Sequence, residues 1–405
     1  MAGLVDDGAR RIGENVRNAR EYRGMSLEAL AGLVGRSKGW LSKVENGKAR
    51  LERRSDIRAL AEALEVSASD LLGEPAPMIR PRDRAYGDVV RLREALFDSS
   101  LDNPPDVPVR PLSALVELAN GDIREKRRAA DDAHLSTVLP GVLEELHVHA
   151  VQGDERERCT ALRLLVDLCT SAVNVLRHLG QVDLAWIAAD RAEKAARLLG
   201  DPVMLGAAAV AQASARPSAG MSRPLRDAER IAGTIEQVIG DSRTGHEVYG
   251  MLLLFAALAR QIQDDTDGAS ERLAEAKRVA DRLGEQPDAS PGEGWQSFGP
   301  ANVGVWRTML AVEAEHPETA LKAAADVEVN ALPRRSRKAA LAIEQARALA
   351  MLGRNESAVR QIRHAEKLSA VAVHKNPMVR DLVADLYDRA AGRDLRGLAW
   401  RMNLS

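Results

Sequence analysis

Residues 26–48 read SLEALAGLVGRSKGWLSKVENGK, two short amphipathic helix patterns joined by one glycine turn. In the first, Leu27, Leu30, Ala31 and Val34 recur at i, i+3, i+4 and i+7, which lines one face of a helix with apolar side chains. Ser26 stands where an N-cap belongs, and Glu28 suits the positive start of the helix. Gly35 supplies a residue that takes the left-handed backbone without strain, so the chain can turn there. Ser37 can cap the next helix, of which only Leu41 and Val44 need face inward. Lys38, Gly39, Trp40, Ser42 and Lys43 are then left on its outer side.

The flanking sequence extends this unit. An earlier helix shows Ile12, Val16 and Ala19 on one side. Ser55 can cap a later helix whose inner face carries Ile57, Leu60, Ala61 and Leu64, and a short fifth helix is expected near Ser69 to Leu72. From Arg36 to Arg54 the chain holds seven basic residues (Arg36, Lys38, Lys43, Lys48, Arg50, Arg53 and Arg54) against two acidic ones. Two helices set at an angle, the second basic and polar on its outer face, fit the major groove of duplex DNA. Lysines there can donate to guanine edges or phosphates, and Gly39 permits close approach. Trp40 has two readings, a contact to a thymine methyl or sugar edge and a shield over the domain's own core.

Residues 10–73 resemble the Xre (phage repressor/Cro-like) helix-turn-helix family through Ser26, Glu28, Leu30-Ala31, Gly35, Ser37, Leu41-Ser42 and Glu45-Asn46-Gly47-Lys48. The resemblance implies base contacts from Lys38, Gly39 and Lys43, and Trp40 and Ser42 on the same outer face are expected to join them. It implies phosphate contacts from Asn46, Gly47 and Lys48, and a pair between Arg20 and Glu45 that ties the first helix to the third; Arg36, Ser37, Arg53 and Arg54, in and beside the basic run, are expected to meet phosphates as well. Leu27 departs from the pattern, standing where the family often has a phosphate-binding glutamine.

A chain of 405 residues has room for two or three domains. Its net charge of −2 places the basic footprint locally, not globally. The apolar share is 45%, yet only twelve residues are aromatic, so small aliphatic side chains must build an all-α core. No uninterrupted apolar run approaches the roughly 20 residues that cross a bilayer, and the N-terminus has no hydrophobic signal core; a cytoplasmic protein is expected. Cys159 and Cys169 form no metal or redox motif and read as reduced, buried helix residues. His147 and His149 are two apart and so lie on different helix faces, and no phosphate-binding glycine loop is present. No catalytic residues, metal or cofactor are expected, and the chain does not read as an enzyme.

Proline-rich stretches at Gly73–Arg84 and Asp98–Pro111 bracket a short helix at about 86–97. The expected domains are a DNA-binding domain at 1–73, a linker with that helix at 74–111, and a helical domain at 112–405. Within the last, Ala185, Ala192, Ala196, Leu199 and Gly200 reappear 84 residues on as Ala269, Ala276, Ala280, Leu283 and Gly284. Leu179-Gly180, Ala185 and Ala192 likewise match Leu352-Gly353, Ala358 and Ala365, with weaker copies near 227–238 and 318–327. Half of 84 is close to the length of a helical-hairpin repeat. Leu-Gly with Ala downstream resembles the tetratricopeptide repeat, which implies an α-solenoid with a concave binding face; an irregular all-α domain is the alternative.

Residues 285–300, EQPDASPGEGWQSFGP, interrupt the helices and gather Trp295, Phe298 and then Trp306, with Asn302 and Arg307 close by. These either wall a ligand site or plug the solenoid. Asn174, Arg177 and Arg347 occupy positions that face the groove in tetratricopeptide-like repeats. The whole layout resembles actinobacterial Xre-type regulators with long helical C-terminal domains and, more loosely, peptide-responsive quorum-sensing regulators. That resemblance implies a homodimer on operator DNA with a peptide or small-molecule effector and no membrane partner. An antitoxin-like or scaffold module acting through the helical groove is the competing class.

Overall fold

The computed structural model describes residues 6–49, 51, 53–64, 66, 71–72, 84–215, 223–284, 297–389, 393–402 and 404. The fold is all-α, and no strand occurs among the described residues. The N-terminal domain comprises α1 (Asp6–Tyr22), α2 (Leu27–Leu33), α3 (Lys38–Glu45) and α4 (Arg54–Leu64), closed by a helical turn at Leu71-Leu72. Its core gathers Ile12, Val16, Leu30, Ala31, Leu41, Val44, Ile57, Leu60, Ala61 and Leu64, as the periodicity requires. Leu27 and Val34 are only partly buried at its edge. Ser26 and Ser37 cap their helices, accepting from the Ala29 and Trp40 amides, each at 3.1 Å. Gly35 has φ +66° in the turn between α2 and α3. Ser55 does not cap α4, which begins one residue earlier at Arg54; its hydroxyl is buried without a partner.

The remaining chain packs mainly neighbour on neighbour: α5 (Arg84–Asp98), α6 (Leu112–Leu118), α7 (Arg124–Ala129), α8 (Asp132–Gln152), α9 (Glu155–His178), α10 (Val182–Leu199), α11 (Pro202–Ala215) and α12 (Arg223–Glu236). After these come α13 (Arg243–Ile262), α14 (Thr266–Leu283), α15 (Pro300–Glu313), α16 (Pro317–Ala325), α17 (Arg335–Met351) and α18 (Asn355–Leu368). The chain ends with α19 (Ala370–His374), α20 (Pro377–Arg389) and α21 (Arg393–Arg401). The helix expected at 86–97 is α5, and it buries Val89, Leu92 and Leu96 in the large C-terminal core.

Four hairpins share one turn design: α9–α10, α13–α14, α15–α16 and α17–α18 are each joined by three residues with the middle one left-handed. Those middle residues are Gly180, Asp264, Glu315 and Gly353, with φ between +59° and +75°. In every case the third loop residue donates its amide five residues back, as from Gln181 to the Leu176 carbonyl at 2.8 Å. This closes the orphan carbonyls of the first helix. The repeated alanines Ala185, Ala192, Ala196, Ala269, Ala276, Ala280, Ala358 and Ala365 are all buried, so paired helices can pack closely without aromatic filling.

α9 is long and apolar enough to cross a membrane by length and composition, an exception to the sequence expectation, but it packs between α8 and α10 with most of that apolar stretch buried. Cys169 is fully buried, and burial pushes its thiol up to about 12; Cys159 is only half-buried, contrary to expectation. Both thiols are free. His147 is buried with Nδ1 at 2.7 Å from the Leu143 carbonyl, while His149 reaches the Arg110 carbonyl at 2.8 Å, so the two rings diverge.

Candidate nucleic-acid interface

α3 is set in place from beneath by α1. Gly13, Arg17 and Arg20 recur along one face of α1 and all meet the end of α3. At Gly13 the helices approach so closely that an added Cβ would lie 2.3 Å from the Val44 carbonyl oxygen. Arg20 donates from Nε and Nη2 to the two carboxylate oxygens of Glu45 at 2.6 and 2.9 Å, and from Nη1 to the Met25 carbonyl at 2.9 Å. Glu45 is buried, and the bonds to it raise the Arg20 pKa despite desolvation. The pair expected from the resemblance is therefore present. Arg17 adds a bond to Asn46 Oδ1 at 2.7 Å, and Asn46 Nδ2 donates to the Ser42 carbonyl at 2.6 Å.

The outer face of α3 is open. Lys38, Gly39 and Lys43 are exposed and Ser42 is half-exposed. A Cβ on Gly39 would meet nothing within 4 Å, so this stretch of helix surface lies bare. Lys43 and Lys48 make no ion pair with any described residue, whereas Lys38 pairs with Glu28 on α2. Trp40 is partly buried against the domain core, and the Arg36 guanidinium lies 5.4 Å from its ring centroid. Gly47 has φ +67° in the turn after α3.

The basic residues flanking α3 divide. Arg36 donates from Nε and Nη2 to the two oxygens of Asp56, each at 2.9 Å. Burial raises the Asp56 pKa even against the pull of Arg36. Arg53 turns toward the helical domain. It donates to the Glu313 carbonyl at 3.3 Å and Asp264 Oδ1 at 3.2 Å, and lies 3.4 Å from Glu315. Arg58 donates to the Ile262 carbonyl at 3.0 Å. These arginines thus meet the C-terminal ends of α13 and α15, where the helix dipole favours a cation. The side chain of Arg54 and the residues Arg50 and Trp295 lie outside the described residues.

Asp264 and Glu315 are the two hairpin residues that hold a left-handed backbone without being glycine, a conformation costing about 1–2 kcal/mol for an L side chain. Both meet Arg53. Changing both to glycine is expected to leave the hairpins folded while loosening α4 from the helical domain. Hydrogen exchange of the α4 amides should accelerate, and non-specific duplex affinity should rise with a steeper salt dependence as Arg53 is released. Unchanged exchange at α4 would show that these carboxylates do not hold the domain.

The residues proposed for a ligand site are only partly brought together. Phe298 is buried with its ring over Gly250, where a Cβ would lie 2.0 Å from the ring, so it plugs the core. Trp306 packs edge-to-face on Phe255 at 5.0 Å and is also core. Arg307 points away to Asp326 at 2.6 Å, and Asn174 donates to the Thr170 carbonyl at 3.1 Å on its own helix. Asn302 is buried and accepts from Arg337 Nε at 2.7 Å. Arg347 is mostly buried and lies between Glu313 at 3.0 Å and Glu344 at 2.7 Å. Arg177 lies within electrostatic range of Arg337. Arg337 was missed by sequence reasoning, although PRRSRK at 333–338 opens a helix with clustered cations. Among the described residues no cluster of metal-ligating side chains occurs.

A helix-turn-helix domain family model matches residues 11–72, which coincides with the unit built around α2 and α3. A domain of this kind supports a DNA-binding regulator. No curated protein and no solved structure matches the chain.

Proposed function

We propose that this chain is a sequence-specific, cytoplasmic transcriptional regulator that reads operator DNA with α3 and acts as a homodimer. The observation that carries the reading is the bare face of Gly39, Ser42 and Lys43, held rigid from behind by the buried Arg20–Glu45 pair. Rigid support matters because a base-reading side chain must arrive in register to gain from its hydrogen bonds. Lys38, Gly39, Ser42 and Lys43 are assigned to base edges, with Trp40 at their margin. Ser37, Gly47 and Lys48 are assigned to phosphates. Asn46 orders the turn through Arg17 and Ser42, and Arg36 and Arg53 serve the domain's own architecture in this docked arrangement.

The helical domain is assigned dimerisation and signal input through tetratricopeptide-like repeats. A peptide or small-molecule effector that prefers one curvature of those repeats would shift the spacing of two recognition helices. The α4 contacts to the turns of α13–α14 and α15–α16 are the physical link by which such a change reaches the DNA-binding domain.

Lys43→Ala is expected to cost about 1–3 kcal/mol on the cognate duplex and to relax preference at one base pair. Lys48→Ala is expected to weaken all duplexes alike and lower the salt slope by about one. Fluorescence anisotropy on cognate and scrambled duplexes over a salt series separates the two. Site preference unchanged in Lys43→Ala would remove α3 from the reading role.

A further inference from the structure

The start of α17 breaks the ordinary rule for helix ends. Arg334 occupies the N-cap position without a side-chain cap bond, and Arg335, Arg337 and Lys338 follow in the first turn with no acidic residue among them. The positive end of the helix dipole disfavours every one of these charges. Arg335 is accounted for, since it reaches across to the Lys367 carbonyl at 2.8 Å. Arg337 is not. Its Nε donates to the neutral Asn302, and it forms no ion pair with any described residue.

Arg177, from the last turn of α9, and Arg334 are the like-charged neighbours that act on Arg337. The attractive group in range is Glu344, whose carboxylate is bound to Arg347 at 2.7 Å. Burial, followed by those two arginines, depresses the Arg337 pKa to about 10. One turn from Asn302 on α15, the indole N–H of Trp306 is buried without an acceptor. A cation with no ion pair among the described residues and an unsatisfied donor thus lie on two helices packed against each other, and Arg337 retains partial solvent access. A perturbed cation that keeps solvent access and lacks a paired carboxylate is the kind of group that marks a binding site.

We propose that Arg337, at the start of α17 beside Asn302 of α15, binds the anionic group, carboxylate or phosphate, of a small ligand. The planar guanidinium presents two parallel N–H donors to such an oxyanion, and Asn302 fixes its plane by holding Nε. The amides opening α17 add the dipole that the clustered arginines otherwise oppose. The site does not depend on DNA binding, and its test reads the protein alone.

The full chain is unfolded thermally in low-salt buffer with sodium phosphate, sodium acetate or sodium chloride added to equal ionic strength. Phosphate or acetate is expected to raise the unfolding temperature by about 2–4 °C over chloride. Which of the two does so identifies the anion class. Arg337→Gln should abolish that increment. Asn302→Asp supplies a carboxylate where Arg337 already donates, so it should raise the unfolding temperature in chloride and remove the response to added anion. Equal effects of all three salts on the unmodified chain would overturn the proposal. So would an increment that survives Arg337→Gln or, should that variant not fold, one that survives Asn302→Asp.

Discussion

Gly13→Ala is expected to disable the DNA-binding domain although it adds one methyl group. The new Cβ would stand 2.3 Å from the Val44 carbonyl oxygen and 2.9 Å from that of Glu45. Both are backbone atoms in the last turn of α3, so neither can step aside as a side-chain tip would. The clash can be relieved only by moving α1 away from α3. Overpacking of this kind costs about 1–3 kcal/mol, here with the Arg20–Glu45 bonds stretched in the same movement. Because α3 is the displaced element, duplex affinity should fall at least as much as stability. Gly39→Ala is the control, since a Cβ there meets nothing and alanine favours the helix by roughly 0.5–1 kcal/mol. It should preserve or improve stability and weaken DNA binding only by obstructing close approach. Chemical denaturation and anisotropy on both variants would separate the two glycines. Equal stability in Gly13→Ala and the unmodified chain would contradict the packing described between α1 and α3.

Glu45→Ala should have the larger energetic effect. Glu45 is buried, and its carboxylate receives both Nε and Nη2 of Arg20, whose side chain is 12% exposed. Arg17 lies 3.5 Å from the same carboxylate. Removing the acid leaves the mostly buried Arg20 and the more exposed Arg17 without their shared counter-charge. Breaking a buried pair from one side costs about 3–5 kcal/mol, mostly the penalty of the charge left behind. The readout is native-state hydrogen exchange in α1 and α3, which reports local opening without assuming that the whole chain unfolds in one step. Protection there should fall by about a hundredfold or more, while the α9–α10 hairpin stays unchanged. Glu45→Gln, keeping the shape and part of the bonding, should lie between. Loss of protection below tenfold in Glu45→Ala would mean that the pair contributes little to holding α3.

The N-terminal domain was legible because its determinants are local. Ser26 and Ser37 cap helices within three residues of themselves, and Gly35 turns the chain where its φ demands. The repeats were legible through alanine and glycine, since Ala185 and Ala269 are buried at equivalent places and Gly180 and Gly353 occupy the same turn position. Asp264 and Glu315 hid that turn in the other two hairpins, where an acidic residue replaces glycine. Arg36 and Arg53 read as phosphate contacts in the sequence because a basic run around a recognition helix looks the same whatever it faces. The groups that Arg53 meets, Asp264, Glu313 and Glu315, are more than 200 residues away and share no pattern with it. Arg337 illustrates the same limit, as its character depends on Arg177 and Asn302 from other helices.

The central claim is that α3 reads a DNA sequence, and selection of bound duplexes from a random pool by the full-length protein tests it most directly. The account predicts enrichment of a two-part element with half-sites about 34 Å apart or a multiple of that spacing, lost in Lys43→Ala. No enriched sequence, together with a stoichiometric protein partner recovered on the helical groove, would contradict it and favour a scaffold that does not act through DNA.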